Sequence, residues 1–165
     1  YEISLGLVGS EMCIRDSNTP ARIGKGVIQY DWNDRCVKAD VEEFLAILEH
    51  AGWVSHLPER LIDAGSAVSG SGPAFAAMFI EAMADGGVLC GLPRATAMEF
   101  AAQTLIGTAE LMLQSGDHPG KMKDAVCSPG GSTIQGVRAL EQGGFRSAVT
   151  EAIVATWEKN QEFAK

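Results

Sequence analysis

The run Ser128-Pro-Gly-Gly-Ser-Thr133 leads without a break into Ile134-Gln-Gly-Val-Arg-Ala-Leu140, and no other stretch is as well equipped for chemistry. Its glycines, Gly130 and Gly131, let the backbone bend sharply, and the residues after them open a helix whose first amides lack internal partners. Such amides, aided by the helix dipole, suit an anion such as a carboxylate. The hydroxyls of Ser128, Ser132 and Thr133 add donors beside them. Taken alone, the run reads more readily as a plain loop with an N-cap. Ser69-Gly-Ser-Gly-Pro-Ala74 is a second glycine-rich break entering a helix. It suits a phosphate or the border of a reactive centre, and on its own reads more readily as a kink at Gly72-Pro73. Asn18-Thr19-Pro20 is a third candidate, by itself only a turn.

Other constellations are missing from the sequence. His50, His56 and His118 are isolated and read as surface or capping residues, and no Ser-His-Asp set or HExxH occurs. Gly6-Leu-Val-Gly9 has the wrong spacing for a dinucleotide fingerprint, and no GxGxxG is present. Glu81 and Asp85 share a helix face without a third partner and read as polar relief on a buried helix. Cys13, Cys36, Cys90 and Cys127 never form CxxC, so neither zinc nor a disulfide framework is expected, and a reducing cytoplasm fits. With 21 acidic and 13 basic residues the formal net charge is −8, which offers nucleic acid no basic face. The apolar stretch from Pro73 to Leu92 is interrupted by Glu81 and Asp85, so no membrane span is expected.

The elements that must position these residues change character along the 165-residue chain. Gly26 to Trp32 alternates with β-branched and aromatic residues and predicts a strand. Asp34 opens an amphipathic helix with Val37, Val41, Phe44, Leu45 and Leu48 at helical spacing, and Trp53 to His56 predicts another strand. That rhythm is the tail of a parallel sheet. After Pro58 helices follow one another: Ala74 to Cys90, Ala95 to Leu113, Gly120 to Val126, Thr133 to Leu140 and Phe145 to Phe163. The expected fold is mainly α, with a helical domain at 58–165 preceded by a remnant of an α/β sheet at 18–57. Residues 1–17 lack an initiator Met and resemble a linker sequence read through as protein, so a non-native head is expected there. The alternative is a genuine strand from Ile3 to Val8.

The helices at 74–90 and 95–113 are apolar on nearly every side, which calls for cover on several sides. Small residues such as Ala76, Ala84, Ala97, Ala101 and Gly107 allow helices to approach closely. An interleaved dimer meets that need, and a central helix within one monomeric bundle is the alternative.

The order of the pieces is more specific than any one of them. Asn18-Thr-Pro20, Leu61-Ile-Asp63, Ser69-Gly-Ser-Gly-Pro-Ala74, Glu81-Ala-Met-Ala-Asp-Gly-Gly-Val88 and Gly91-Leu-Pro-Arg94 occur in sequence. Ala102-Gln-Thr104, His118-Pro119, Lys123-Asp124, Ser128-Pro-Gly-Gly-Ser-Thr133 and Glu141-Gln-Gly-Gly-Phe-Arg146 follow. This order closely resembles the pyrroline-5-carboxylate reductase family from residue 18 to about 163.

The resemblance implies a Rossmann domain binding NADPH or NADH and a helical dimerisation domain. In the family the homodimers often assemble further into a decamer, and 1-pyrroline-5-carboxylate is reduced to L-proline, the last step of proline biosynthesis. It places Asn18, Thr19, Pro20 and Ser69 beside the nicotinamide, and Ser128, Gly130, Gly131, Ser132 and Thr133 on the substrate, with Thr133 closest to the chemistry. No metal is implied, and most of the cofactor-binding half has no counterpart here. Gly116 stands where some members have a carboxylate near the substrate, and Ala125 where some have an amide near the cofactor. Two other readings remain. One is a non-catalytic helical oligomerisation module. The other is a reductase like 6-phosphogluconate dehydrogenase, although Lys121 and Lys123 look like solvated charges and not the lysine such enzymes use.

Overall fold

A computed structural model of the chain describes residues 12–32 and 36–163, with side chains from Asp16 onward. It runs β1 (Met12–Ser17), a 3-10 helix (Thr19–Ile23), β2 (Gly26–Trp32), α1 (Lys38–Leu48), β3 (Gly52–His56) and α2 (Glu59–Ser69). Five further helices follow: α3 (Gly72–Leu89), α4 (Arg94–Ser115), α5 (Pro119–Ala125), α6 (Ser132–Gln142) and α7 (Phe145–Phe163). The fold is mainly helical with one small sheet, as the sequence predicts. The helix expected from Asp34 begins at Lys38, and Asp34 itself lies outside the described residues. Two compact units divide the chain: residues 1–75 with 151–165, and residues 76–150.

In the first unit, β2 and β3 pair in parallel from Gly26 opposite Gly52 to Tyr30 opposite His56. This is the expected parallel pair. β1 joins the other edge of β2 in antiparallel register, from Met12 opposite Trp32 to Ser17 opposite Ile28, with an irregularity between Ile14 and Asp16. The sequence reading did not anticipate that pairing. It builds the second part of the 1–17 segment into the sheet, while the alternative strand Ile3 to Val8 and the pair Gly6 and Gly9 lie outside the described residues.

Side chains alternate across a strand, so β2 presents two faces. Tyr30 packs on Phe44 of α1, with ring centroids 5.4 Å apart, among Val41, Leu45, Leu48 and Val54. The opposite face, with Gln29 and Asp31, meets α2. Ile28, Gln29 and Tyr30 are all buried, which is the condition of a strand covered by helices on both sides.

α2 has Pro58 at its N-cap, a residue with no side-chain acceptor. Asp31 supplies one from the strand. Its carboxylate accepts from the Glu59 amide at 2.6 Å and the Trp32 amide at 2.8 Å, and pairs with His56 Nε2 at 3.0 Å. The His56 ring also stacks on Trp32, with centroids 4.2 Å apart. Burial pushes the Asp31 pKa up, but the hydrogen bond to His56 and the two amide donors outweigh it and hold the group below its ordinary 3.8. A lowered folded pKa means that Asp31 stabilises the fold above the ordinary value, and that this contribution fades as pH falls through the folded value. Acid unfolding followed by circular dichroism is therefore expected to be less steep below about pH 4 in Asp31→Asn. Identical acid transitions in the two proteins would refute the role.

The far end of α7 also belongs to this unit. Gln161 Nε2 donates to Asp63 Oδ2 at 2.8 Å, and Asn160 Nδ2 to the Asp63 carbonyl at 3.4 Å.

In the second unit, α4 lies close to α3. Ala84, Ala97 and Ala101 are buried, and a Cβ on Gly87 would lie 3.1 Å from Ala97 Cβ. Several small residues that suggested an intermolecular contact are thus used within the chain. Larger apolar residues remain uncovered, among them Met78, Leu89, Phe100, Ile106, Leu111 and Leu113. Among the described residues no helix is long and apolar enough to cross a membrane.

Candidate functional site at the start of α6

In the second unit, the Ser128 carbonyl accepts from the Gly131 amide at 3.0 Å. Pro129 takes the second place of this turn and Gly130 the third, at φ 70°. Proline there, followed by a positive φ that favours glycine, is the geometry of a type II turn. Gly131 then caps α6 at φ −71° and ψ 169°, with no side-chain cap. A Cβ at Gly131 would stand 2.4 Å from Ser128 Oγ and 3.1 Å from the Ser128 carbonyl oxygen. The turn therefore excludes a side chain at the position where a helix ordinarily carries its capping oxygen.

The first amides of α6, those of Ser132, Thr133 and Ile134, consequently receive no side-chain cap from Gly131. Three donors at the positive end of an 11-residue helix, beside the exposed Ser132 and Thr133, have the chemistry that suits an anion such as a carboxylate. Ser128, Gly130 and Gly131 fall in this turn, and Ser132 and Thr133 open the helix that follows it. His118, read as a surface or capping residue, accepts from the Gly120 amide through Nδ1 at 3.0 Å and caps α5.

Asn18, Thr19, Pro20 and Ser69 lie in the first unit. Asn18 Oδ1 accepts from the Val27 amide at 2.9 Å, and its Nδ2 donates to the Ser69 carbonyl at 3.0 Å. The Ser69 hydroxyl donates to the Gly65 carbonyl at 3.1 Å and accepts from Gln29 Nε2 at 2.5 Å. Asn18 and Ser69 are thus brought together and bonded to the chain itself, while Thr19 is exposed and Pro20 half-buried. Gly70 stays right-handed at φ −69°, so the Ser-Gly-Ser-Gly-Pro break kinks the path from α2 into α3 without a left-handed residue. The Asp16 carboxylate accepts from the Ser66 hydroxyl one turn earlier.

Sequence reasoning did not single out Gln29, Asp16 or Asp31. For Gln29 a signal existed, since it is the one polar residue between Val27 and Tyr30 in a strand buried on both faces.

The residues present fit a carboxylate-bearing substrate better than a whole dinucleotide. The 165 residues contain no GxGxxG to cradle a pyrophosphate. Near Asn18 and Ser69, the exposed Thr19 and backbone groups are what a nicotinamide edge would meet. Among the described residues no group of three His, Cys, Asp or Glu side chains could hold a metal ion.

The family model for pyrroline-5-carboxylate reductase dimerisation matches residues 59–163. Over 148 residues the chain is 49% identical to the pyrroline-5-carboxylate reductase of Synechocystis sp. and 46% identical to that of Escherichia coli. Each of these matches covers 90% of this chain and 55% of the relative. A crystal structure of Plasmodium falciparum pyrroline carboxylate reductase with NADP bound superposes with a TM-score of 0.87 at 31% identity, covering 93% of this chain and 62% of that one. The chain spans about half the length of the curated relatives it matches. The match through the helices, with the Thr133 turn inside it, places this chain in the pyrroline-5-carboxylate reductase dimerisation family.

Proposed function

We propose that this chain is the substrate-binding and dimer-forming part of a pyrroline-5-carboxylate reductase, which converts 1-pyrroline-5-carboxylate to L-proline with NADPH or NADH. The observation that carries the reading is the turn before α6, whose amides lack a side-chain cap beside two exposed hydroxyls. The substrate is a planar cyclic imine bearing a carboxylate. The α6 amides hold that carboxylate, and the Ser132 and Thr133 hydroxyls add donors at its rim. The Thr133 hydroxyl then faces the ring nitrogen, where it hydrogen-bonds the protonated imine or relays a proton to it. The bound nicotinamide supplies the hydride. Asn18, Thr19, Pro20 and Ser69 border it, with Asn18 and Ser69 setting the backbone and Thr19 offering a free side chain. The apolar residues left exposed on α3 and α4 meet a second copy of the chain. The free thiols of Cys90 and Cys127 suit a reducing cytoplasm.

The test is to express the complete open reading frame and follow nicotinamide oxidation with 1-pyrroline-5-carboxylate, identifying proline as the product. No turnover from a folded full-length protein sinks the reading. The 165 residues alone are expected to show no saturable NADPH binding in the micromolar range by calorimetry, because they carry no pyrophosphate-binding glycine turn.

A further inference from the structure

Gln29 is buried to 4% exposure in the middle of β2, where Ile28 and Tyr30 beside it are apolar. Its Oε1 has no hydrogen-bond partner. A buried, unpartnered amide oxygen costs stability, and an apolar residue of the same size would fill the space without that cost. The other half of the amide shows what the chain gains. Nε2 donates to the Ser69 hydroxyl at 2.5 Å, and that hydroxyl in turn donates to the Gly65 carbonyl at 3.1 Å. Asn18 Nδ2 grips the Ser69 carbonyl at 3.0 Å, so both polar ends of Ser69 are held from outside its helix. The fit depends on Gly65, where a Cβ would fall 1.9 Å from Gln29 Oε1. Gln29, Gly65 and Ser69 therefore form one device at the last turn of α2.

We infer that Gln29 is a positioning residue that fixes the turn from Ser69 to Pro73 by holding the Ser69 hydroxyl, at a net expense in stability. Its link to the reaction rests on the proposed placement of Ser69 beside the nicotinamide, while its effect on the turn does not. Gln29→Met keeps the volume and removes both the donor and the unpartnered oxygen. The thermal midpoint of the 165-residue chain is expected to stay unchanged or rise, while amide hydrogen exchange from Gly70 to Phe75 speeds up about ten-fold. Exchange at wild-type rates in that segment overturns the inference. So does a lowered midpoint with faster exchange throughout the sheet, which is the mark of a purely structural residue.

Ser69→Ala provides an independent check, because it strands the Gln29 amide without an acceptor. It is expected to lower the midpoint, and the Gln29→Met, Ser69→Ala double variant to regain most of that loss. Simple additivity of the two changes counts against the pairing. In the full-length enzyme, Gln29→Met is expected to raise KM for the nicotinamide about ten-fold, with a smaller change in kcat. Faster exchange at the turn beside an unchanged KM supports the positioning role and overturns the placement of Ser69 at the cofactor instead.

Discussion

Thr133→Ala in the full-length reductase is expected to lower kcat/KM for 1-pyrroline-5-carboxylate by about 10- to 1,000-fold, the range for loss of one positioned donor. The substrate enters with an electrophilic carbon when its nitrogen is protonated, so no lysine or histidine is needed to activate it. What the protein must supply is a fixed carboxylate and a partner for the ring nitrogen. In the proposed reading the amides that open α6 provide the first, and the Thr133 hydroxyl, exposed on the first turn, provides the second. The variant should keep its fold, because Thr133 is exposed and no hydrogen bond of its side chain holds another element in place. Cofactor affinity should also hold. Gly131→Val is expected to be worse still. The added atoms collide with the Ser128 oxygens and open the turn, which displaces every α6 amide at once. Steady-state kinetics on both variants, with nicotinamide binding measured in parallel, provides the comparison. Wild-type kcat/KM in Thr133→Ala would leave the turn a plain helix start.

The second large effect concerns assembly. Ile106→Glu is expected to weaken the dimer by at least about a hundred-fold, because a carboxylate trapped in an apolar interface costs several kcal/mol. Ile106 is 52% exposed in the isolated chain, so the substitution spares the protomer's own packing. Ala101 is a poorer probe. At 3% exposure it is already buried between helices of the same chain, and a glutamate there unfolds the unit before it reports on any partner. Sedimentation of the wild type and of Ile106→Glu separates these effects. A wild-type chain that sediments as a monodisperse monomer, or a variant that dimerises normally, removes α4 from the interface.

Much of this arrangement is legible in the residues because period and punctuation report on faces. Gly26 to Trp32 alternates and is β2; Phe145 to Phe163 carries a helical stripe and is α7. The Ser128 to Thr133 run combines turn residues with a helix start, and both are found there. What local pattern hides is the identity of the partner. Asp31 reaches the Glu59 amide 28 residues later, and nothing near Pro58 announces that its missing cap comes from a strand. Alanines on α3 and α4 signal close approach equally well for a helix of the same chain or of another. The antiparallel seat of β1 is hidden for a different reason, since residues 1–17 resemble a linker sequence more than an element of the fold. Asn18 and Ser69 are expected beside the nicotinamide from the resemblance alone, and their bonds to each other and to Val27 and Gln29 become visible only in three dimensions.

The clasp between Asp63 and Gln161 joins residues 98 apart in the chain. The unit that begins with the sheet is thereby completed by α7, after the whole of residues 76–150 has been made. On the ribosome, α2 emerges and must wait without its final partner while every intervening helix is synthesised. Long-separation contacts of this kind carry a large loop-closure entropy and form late. The sheet unit thus gains this support only once Gln161 has been made, and a nascent chain halted anywhere before Asn160 carries Asp63 with neither of these amide partners.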